Sequence, residues 1–162
     1  MGSTFRYIDL FNDKRLFFIV LGSLLIFIPI PFLGAVGWAW VFGLFDILGF
    51  EYTDNRAGTQ AYRTIQTMFM IFSLLVVYLL QHNVNIVIAC LLMWWCFVCD
   101  LVYYFGLTYK VGNVTWFKGC LPMLFSKHIL RCNYASPVVI FIFFALSIAV
   151  SFYITTYCER FF

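Results

Sequence analysis

The sequence predicts an all-α integral membrane protein, and three observations carry that expectation. Of the 162 residues, 64% are hydrophobic and 22% aromatic, while only 10% are charged. An ordinary soluble domain is about half apolar and about a quarter charged, and a globule of this size lacks the interior volume to hide so much apolar surface. The apolar residues also gather in runs near the roughly 20 residues that cross a hydrocarbon core of about 30 Å. Finally, the ten Lys and Arg are scattered in ones and twos, which leaves no patch able to follow a phosphate backbone. A soluble domain, a disordered chain and a nucleic-acid binder are thereby excluded. Within lipid the runs must be helical, because no water is there to satisfy unpaired backbone groups.

Residues 1–15 form an N-terminal segment. It has no secretory signal pattern, since the apolar run that follows is too long. Gly2 is followed by Arg6 where a myristoylation signal requires Ser or Thr.

Residues 16–50 form one apolar run, which as a single helix would be about 52 Å long at 1.5 Å per residue, too long for one span. Pro29 and Pro31 interrupt it, with Gly34 and Gly37 following. Proline removes a backbone donor and disfavours helix at the preceding residue, so the chain breaks there. The expectation is a helical hairpin, either fully crossing or re-entrant, with arms at 14–28 and 32–49. A flat interfacial second arm would need a polar face, and Asp46 is the one charge between Phe32 and Phe50.

Three transmembrane helices follow, at 64–81, 84–107 and 137–157. The Gln81-His82-Asn83 turn is so short that its flanking helices must be antiparallel neighbours. Residues 108–136 form an interfacial loop mixing Trp116, Phe117, Leu121, Met123, Leu124 and Phe125 with Lys118, Lys127 and Arg131. Ser136-Pro137 is an N-cap and first-turn pair for the last helix. The chain reads as a single membrane domain without repeats.

Charge counting favours the hairpin. Arg6, Lys14 and Arg15, then Arg56 and Arg63, then Lys110, Lys118, Lys127 and Arg131 would share one side, leaving Arg160 alone on the other. Basic loops stay in the cytoplasm. The expected protein is multi-pass, with its N-terminus cytoplasmic and its C-terminus outside.

Lipid gives helices no hydrophobic reason to associate, so small and polar residues mark their packing seams. At helical spacing Asn85, Ala89, Cys96, Cys99, Asp100 and Tyr103 share one stripe, opposite Ile88, Trp94 and Phe105. Gln66, Met70, Ser73, Val77 and Gln81 form a second, and Ser147, Ser151 and Thr155 a third. Equal depth in the antiparallel pair sets Arg63 within a turn of Asp100. An ionised aspartate in a membrane is costly without a partner, so the expected site is an intramembrane polar cluster of Asp46, Arg63, Asp100 and Tyr103, with an Arg63–Asp100 ion pair.

Cysteines offer a second candidate site. Cys96-Phe97-Val98-Cys99 is a C-x-x-C, with Cys120 and Cys132 in the next loop. Four membrane helices carrying such a motif and additional cysteines are similar to the quinone-linked thiol oxidoreductases, which implies redox roles for Cys96, Cys99, Cys120 and Cys132. Against this, the motif lies well inside a helix, and the charge rule puts the loop in the reducing cytoplasm, where stable disulfides are rare.

No metal-ligand spacing is present. One span separates His82 from His128, so a bis-histidine haem is not expected. Asn113-Val114-Thr115 is a glycosylation sequon whose use would invert the orientation.

Three function classes follow. The first is a small non-catalytic subunit or accessory component of a larger membrane complex. Its partners would be membrane lipids and other subunits, or further copies of itself, with lipid or a hydrophobic cofactor as bound ligand. The second is a small transporter or channel-forming oligomer, and the third a membrane thiol/quinone oxidoreductase.

Overall fold

The computed structural model describes residues 14–52, 60–101, 112–115 and 118–158. Among these residues the regular structure is helical apart from one isolated antiparallel bridge, Val114–Ala135. The helices are α1 (Lys14–Phe27), α2 (Pro31–Tyr52), α3 (Gln60–Gln81), α4 (Val84–Trp95), α5 (Leu121–His128) and α6 (Pro137–Tyr157). Two segments, Arg63–Gln81 and Pro137–Tyr157, are long and apolar enough to cross a membrane, and Pro31–Asp46 and Val84–Trp95 are shorter apolar helices.

The 16–50 run folds as a hairpin broken at residues 28–30, with Pro29 in the break and Pro31 opening α2. Its arms pack through two glycines. A Cβ on Gly37 would lie 2.6 Å from the Gly22 carbonyl oxygen and 2.8 Å from Leu25 Cβ, so α1 and α2 meet backbone to backbone. On the other side, Gln81 at the end of α3 donates through Nε2 to the carbonyls of Ile26 and Ile28, at 2.6 and 2.8 Å. The hairpin tip therefore sits level with the α3–α4 turn, where Gly34 lies against Ile86.

Central to the fold is α2, which packs on α1, α3, α4 and α6. An aromatic ladder joins it to α3: Trp38 stacks on Phe42, and Phe45 stacks on Phe69 at 3.7 Å between ring centroids. Trp38 Nε1 donates to Ser73 Oγ at 2.9 Å, which gives the one polar atom of a fully buried indole its partner.

The expected stripes face inward. Ser73 and Gln81 are half-buried and Val77 buried on α3, and Ser147, Ser151 and Thr155 are buried on α6. Ser147 and Thr155 return their hydroxyls to backbone carbonyls one turn back. Ser136 caps α6 by accepting from Val139 N, with Pro137 in the first turn. Asn83 caps α4 in the same way, accepting from Asn85 N at 2.8 Å.

The expectation of a continuous helix over 84–107 requires correction. α4 ends at Trp95, and a helical turn resumes at 98–101. The residues beyond 101, including Tyr103 and Phe105, lie outside the described residues up to 112. At the break Phe97 has φ 72, in the left-handed region. That conformation costs a residue with a Cβ roughly 1–2 kcal/mol, and packing holds it. Phe97 is wholly buried in a second core with Leu101, Val114, Cys120, Met123, Ala135 and Ile140. Within 108–136 the described residues hold α5 and the bridge, and Trp95 Nε1 donates to Gly119 O at 2.8 Å to tie them to the break.

Candidate functional site

Asp46 stands on α2, Gln66 on α3 and Asp100 on the helical turn after the break. Gln66 Nε2 donates to Asp46 Oδ1 at 2.8 Å, and Asp100 lies within electrostatic range of Asp46. Both carboxylates are half-buried. The structure thus brings two of the expected cluster members together and adds Gln66, which the spacing had placed on the seam but not in the cluster.

Arg63 does not join them. Its side chain is exposed, and the charged neighbour that acts on Asp100 is Asp46 rather than a cation. The expected Arg63–Asp100 ion pair is absent from this structure. Two causes act together. The equal-depth rule assumed a straight helix through Asp100, which the break at Cys96–Phe97 denies. Arg63 also lies in the first turn of α3, where a long cationic side chain extends outward along its own stem. Tyr103 lies outside the described residues.

The Asp46–Gln66 contact makes a testable pair. Asp46→Asn keeps an oxygen that Gln66 can donate to and removes one of two neighbouring acidic groups, so an unchanged or raised melting temperature in detergent is expected. Gln66→Leu deletes the donor and is expected to lower stability by about 1–3 kcal/mol. Equal behaviour of the two variants would show that the contact contributes nothing.

All six cysteines are free thiols. The break divides the C-x-x-C: Cys96 caps the end of α4, and Cys99 belongs to the resumed turn. Both are buried. Cys120, drawn in by the Trp95–Gly119 bond, lies within electrostatic range of Cys96. Cys132 stands apart in the turn after α5, its thiol donating to the Leu130 carbonyl at 3.5 Å.

Burial pushes the Cys120 thiol up to about 11. The thiolate is the reactive form, so Cys120 is held as the neutral thiol at neutral pH. In the folded protein a maleimide is expected to modify the half-buried Cys132 and Cys158 first. Cys120 should become reactive only as the pH approaches its raised value, because deprotonation must come first. Rapid modification of Cys120 at neutral pH, followed by peptide mass mapping, would contradict this.

His82 occupies the α3–α4 turn with φ 49 and His128 ends α5, both exposed. Among the described residues no three His, Cys, Asp or Glu side chains converge to hold a metal ion.

No known protein family, characterised protein or solved structure matches the chain. Function therefore has to be argued from the residues. What they form is an Asp46 carboxylate hydrogen-bonded by Gln66 with Asp100 within electrostatic range, and a set of thiols of which Cys90, Cys96, Cys99 and Cys120 are buried.

Beside them lies an apolar cavity of about 180 Å³, lined by Val36, Ala39 and Trp40 of α2, Met93 of α4, Val98 and Leu101 of the resumed turn, and Phe144 and Ile148 of α6. Nothing in the sequence marks this cavity, because its floor depends on the break at Phe97.

Proposed function

We propose that the chain is a multi-pass membrane protein, comprising the hairpin and three further spans, and serves as a small non-catalytic subunit or accessory component of a larger membrane complex. One observation carries this reading: large apolar side chains stand exposed on the described helices. Phe17, Leu24 and Phe27 on α1, Ile71 and Leu75 on α3, and Leu146 on α6 are all exposed. Exposed apolar area on that scale in a small protein marks lipid or a partner. Three inward polar side chains, by contrast, are used in contacts between helices: Gln66 on Asp46, Trp38 on Ser73, and Gln81 on the hairpin tip.

The partners on this reading are membrane lipids and other membrane subunits. Basic-residue placement puts the N-terminus and the 108–136 segment in the cytoplasm and the C-terminus outside. Asn113 and Thr115 of the sequon are both exposed, so burial does not protect the site. In a glycosylating host Asn113 is expected to remain unmodified, and a glycan mass on it would reverse the orientation.

A second reading, a small transporter or channel-forming oligomer, is favoured by the placement of Asp46 and Asp100 beside a broken helix. Unwound backbone at such breaks coordinates ions in transporters. The third reading, a membrane thiol/quinone oxidoreductase, rests on the proximity of Cys96 and Cys120 and is weakened by the raised Cys120 thiol.

Purification of the native assembly in mild detergent tests the choice. A stoichiometric unlike partner supports the subunit. A stable homo-oligomer whose ion flux is lost in Asp46→Asn or Asp100→Asn supports the transporter and overturns the subunit reading.

A further inference from the structure

We infer that the cavity among α2, α4 and α6 is a binding site for the hydrocarbon chain of a bilayer lipid. The lining consists of apolar side chains. Ala39, Met93, Val98 and Leu101 are buried and form its floor, whereas Val36 and Trp40 on α2 and Phe144 and Ile148 on α6 are half-buried and form two lips. On each lip the pair is spaced four residues apart, one helical turn, so the mouth runs along the helix axes. Such a slot suits an extended chain.

The cavity has a structural cause. Where α4 would have continued straight, the Phe97 break redirects the chain, and Val98 and Leu101 line the space together with Met93. The Trp40 ring props the other side, since its Cδ1 lies 3.1 Å from where a Cβ on Gly22 would stand.

Depth selects the occupant. Ile148 lies about 16 Å along α6, near the middle of a helix about 32 Å long. On the membrane reading, on which this inference rests, the mouth therefore opens into the hydrocarbon layer beside exposed Phe141. Water gains nothing in a cavity without polar partners, and an apolar cavity of about 150 Å³ accepts a benzene-sized solute. The space thus fits the end segment of one acyl chain. A quinone ring would bring two carbonyl acceptors into a lining whose exposed surface is almost wholly apolar and in which the Trp40 indole is the one residue carrying a side-chain donor, at a cost of a few kcal/mol for each buried group left unpaired.

The test uses the full chain in phosphatidylcholine vesicles containing a small fraction of phosphatidylcholine with a diazirine near the end of one acyl chain, irradiated and then mapped by peptide mass spectrometry. Met93 is completely buried, so a probe reaches it only through the cavity. The expected result is an adduct on Met93 together with adducts on the outer residues Ile71, Leu75 and Leu146. Ala39→Phe, which fills the floor, is expected to abolish the Met93 adduct and spare the outer ones. Val36→Phe fills the slot from its lip and serves if Ala39→Phe does not fold. Outer adducts without Met93 overturn the site and leave the membrane reading intact, as does a Met93 adduct that survives a folded filling variant. Loss of the outer adducts as well overturns the membrane reading and the site with it.

Discussion

Gly37→Ala is expected to lower the stability of the folded protein in detergent by on the order of 2 kcal/mol, the typical size of an overpacking penalty. In a helix interior alanine would ordinarily be better than glycine by about 1 kcal/mol, so the expected sign runs against local propensity. The reversal comes from what the new methyl group would meet: the Gly22 carbonyl oxygen at 2.6 Å, Leu25 Cβ at 2.8 Å and Ile26 N at 3.1 Å. Two of these are backbone atoms, and neither can yield without separating α1 from α2. At Gly34 the nearest atom is Ile86 Cδ1, the far end of a side chain able to change rotamer, and at Gly22 the neighbours are Trp40 and Val41 side-chain atoms at 3.1 Å. Alanine at Gly34 or Gly22 should therefore cost less than at Gly37. At Gly119, where nothing lies within 4 Å, it should fall within about 0.5 kcal/mol of neutral. Thermal or denaturant unfolding of the four variants checks the order. A Gly37→Ala protein as stable as Gly119→Ala would mean that the hairpin arms are not in backbone contact.

Gln81→Leu is expected to cost about 1–3 kcal/mol, the penalty for leaving buried polar groups unsatisfied. The helix end at Phe27 leaves carbonyls without an intrahelical donor; Gln81 reaches that of Ile26, and in the turn beyond it shares the Ile28 carbonyl with Ile30 N. The side-chain amide also links α3 to the hairpin, so its loss should loosen both. Gln81→Glu removes the donor and sets a carboxylate against two carbonyl oxygens, and is expected to be worse than Gln81→Leu. Limited proteolysis near residues 28–30 gives a local readout. Were cleavage there unchanged in Gln81→Glu, the tip would not depend on this contact.

Much of the framework was readable because its signals are local. Pro29 and Pro31 place a break that the structure has at 28–30, and Ser136-Pro137 marks the start of α6. Four-residue spacing of Ser147, Ser151 and Thr155 identifies an inward face because burial of small polar groups against neighbouring helices is periodic. What escaped was non-local. No Gly or Pro announces the turn at Cys96–Phe97; it exists because Phe97 sinks into a core completed by Val114 and Ala135, residues much later in the chain. Asp46 could be placed near Asp100 by depth, but its donor Gln66 depended on which way each side chain turns about its helix. α5 did carry signals, with Pro122 in its first turn and Lys127 and His128 in its last. At eight residues, however, it is too short for periodicity to stand out from the surrounding aromatic segment.

The reach of Gln81 back to Ile28 spans 53 positions in the chain. Translation proceeds at roughly 5–20 residues per second, so the tip carbonyls leave the ribosome about 3–10 s before the side chain that will serve them. During that interval the Ile26 carbonyl is without this donor, while that of Ile28 can already accept from Ile30 N. The contact between α3 and the hairpin tip is therefore made only once Gln81 has been synthesised.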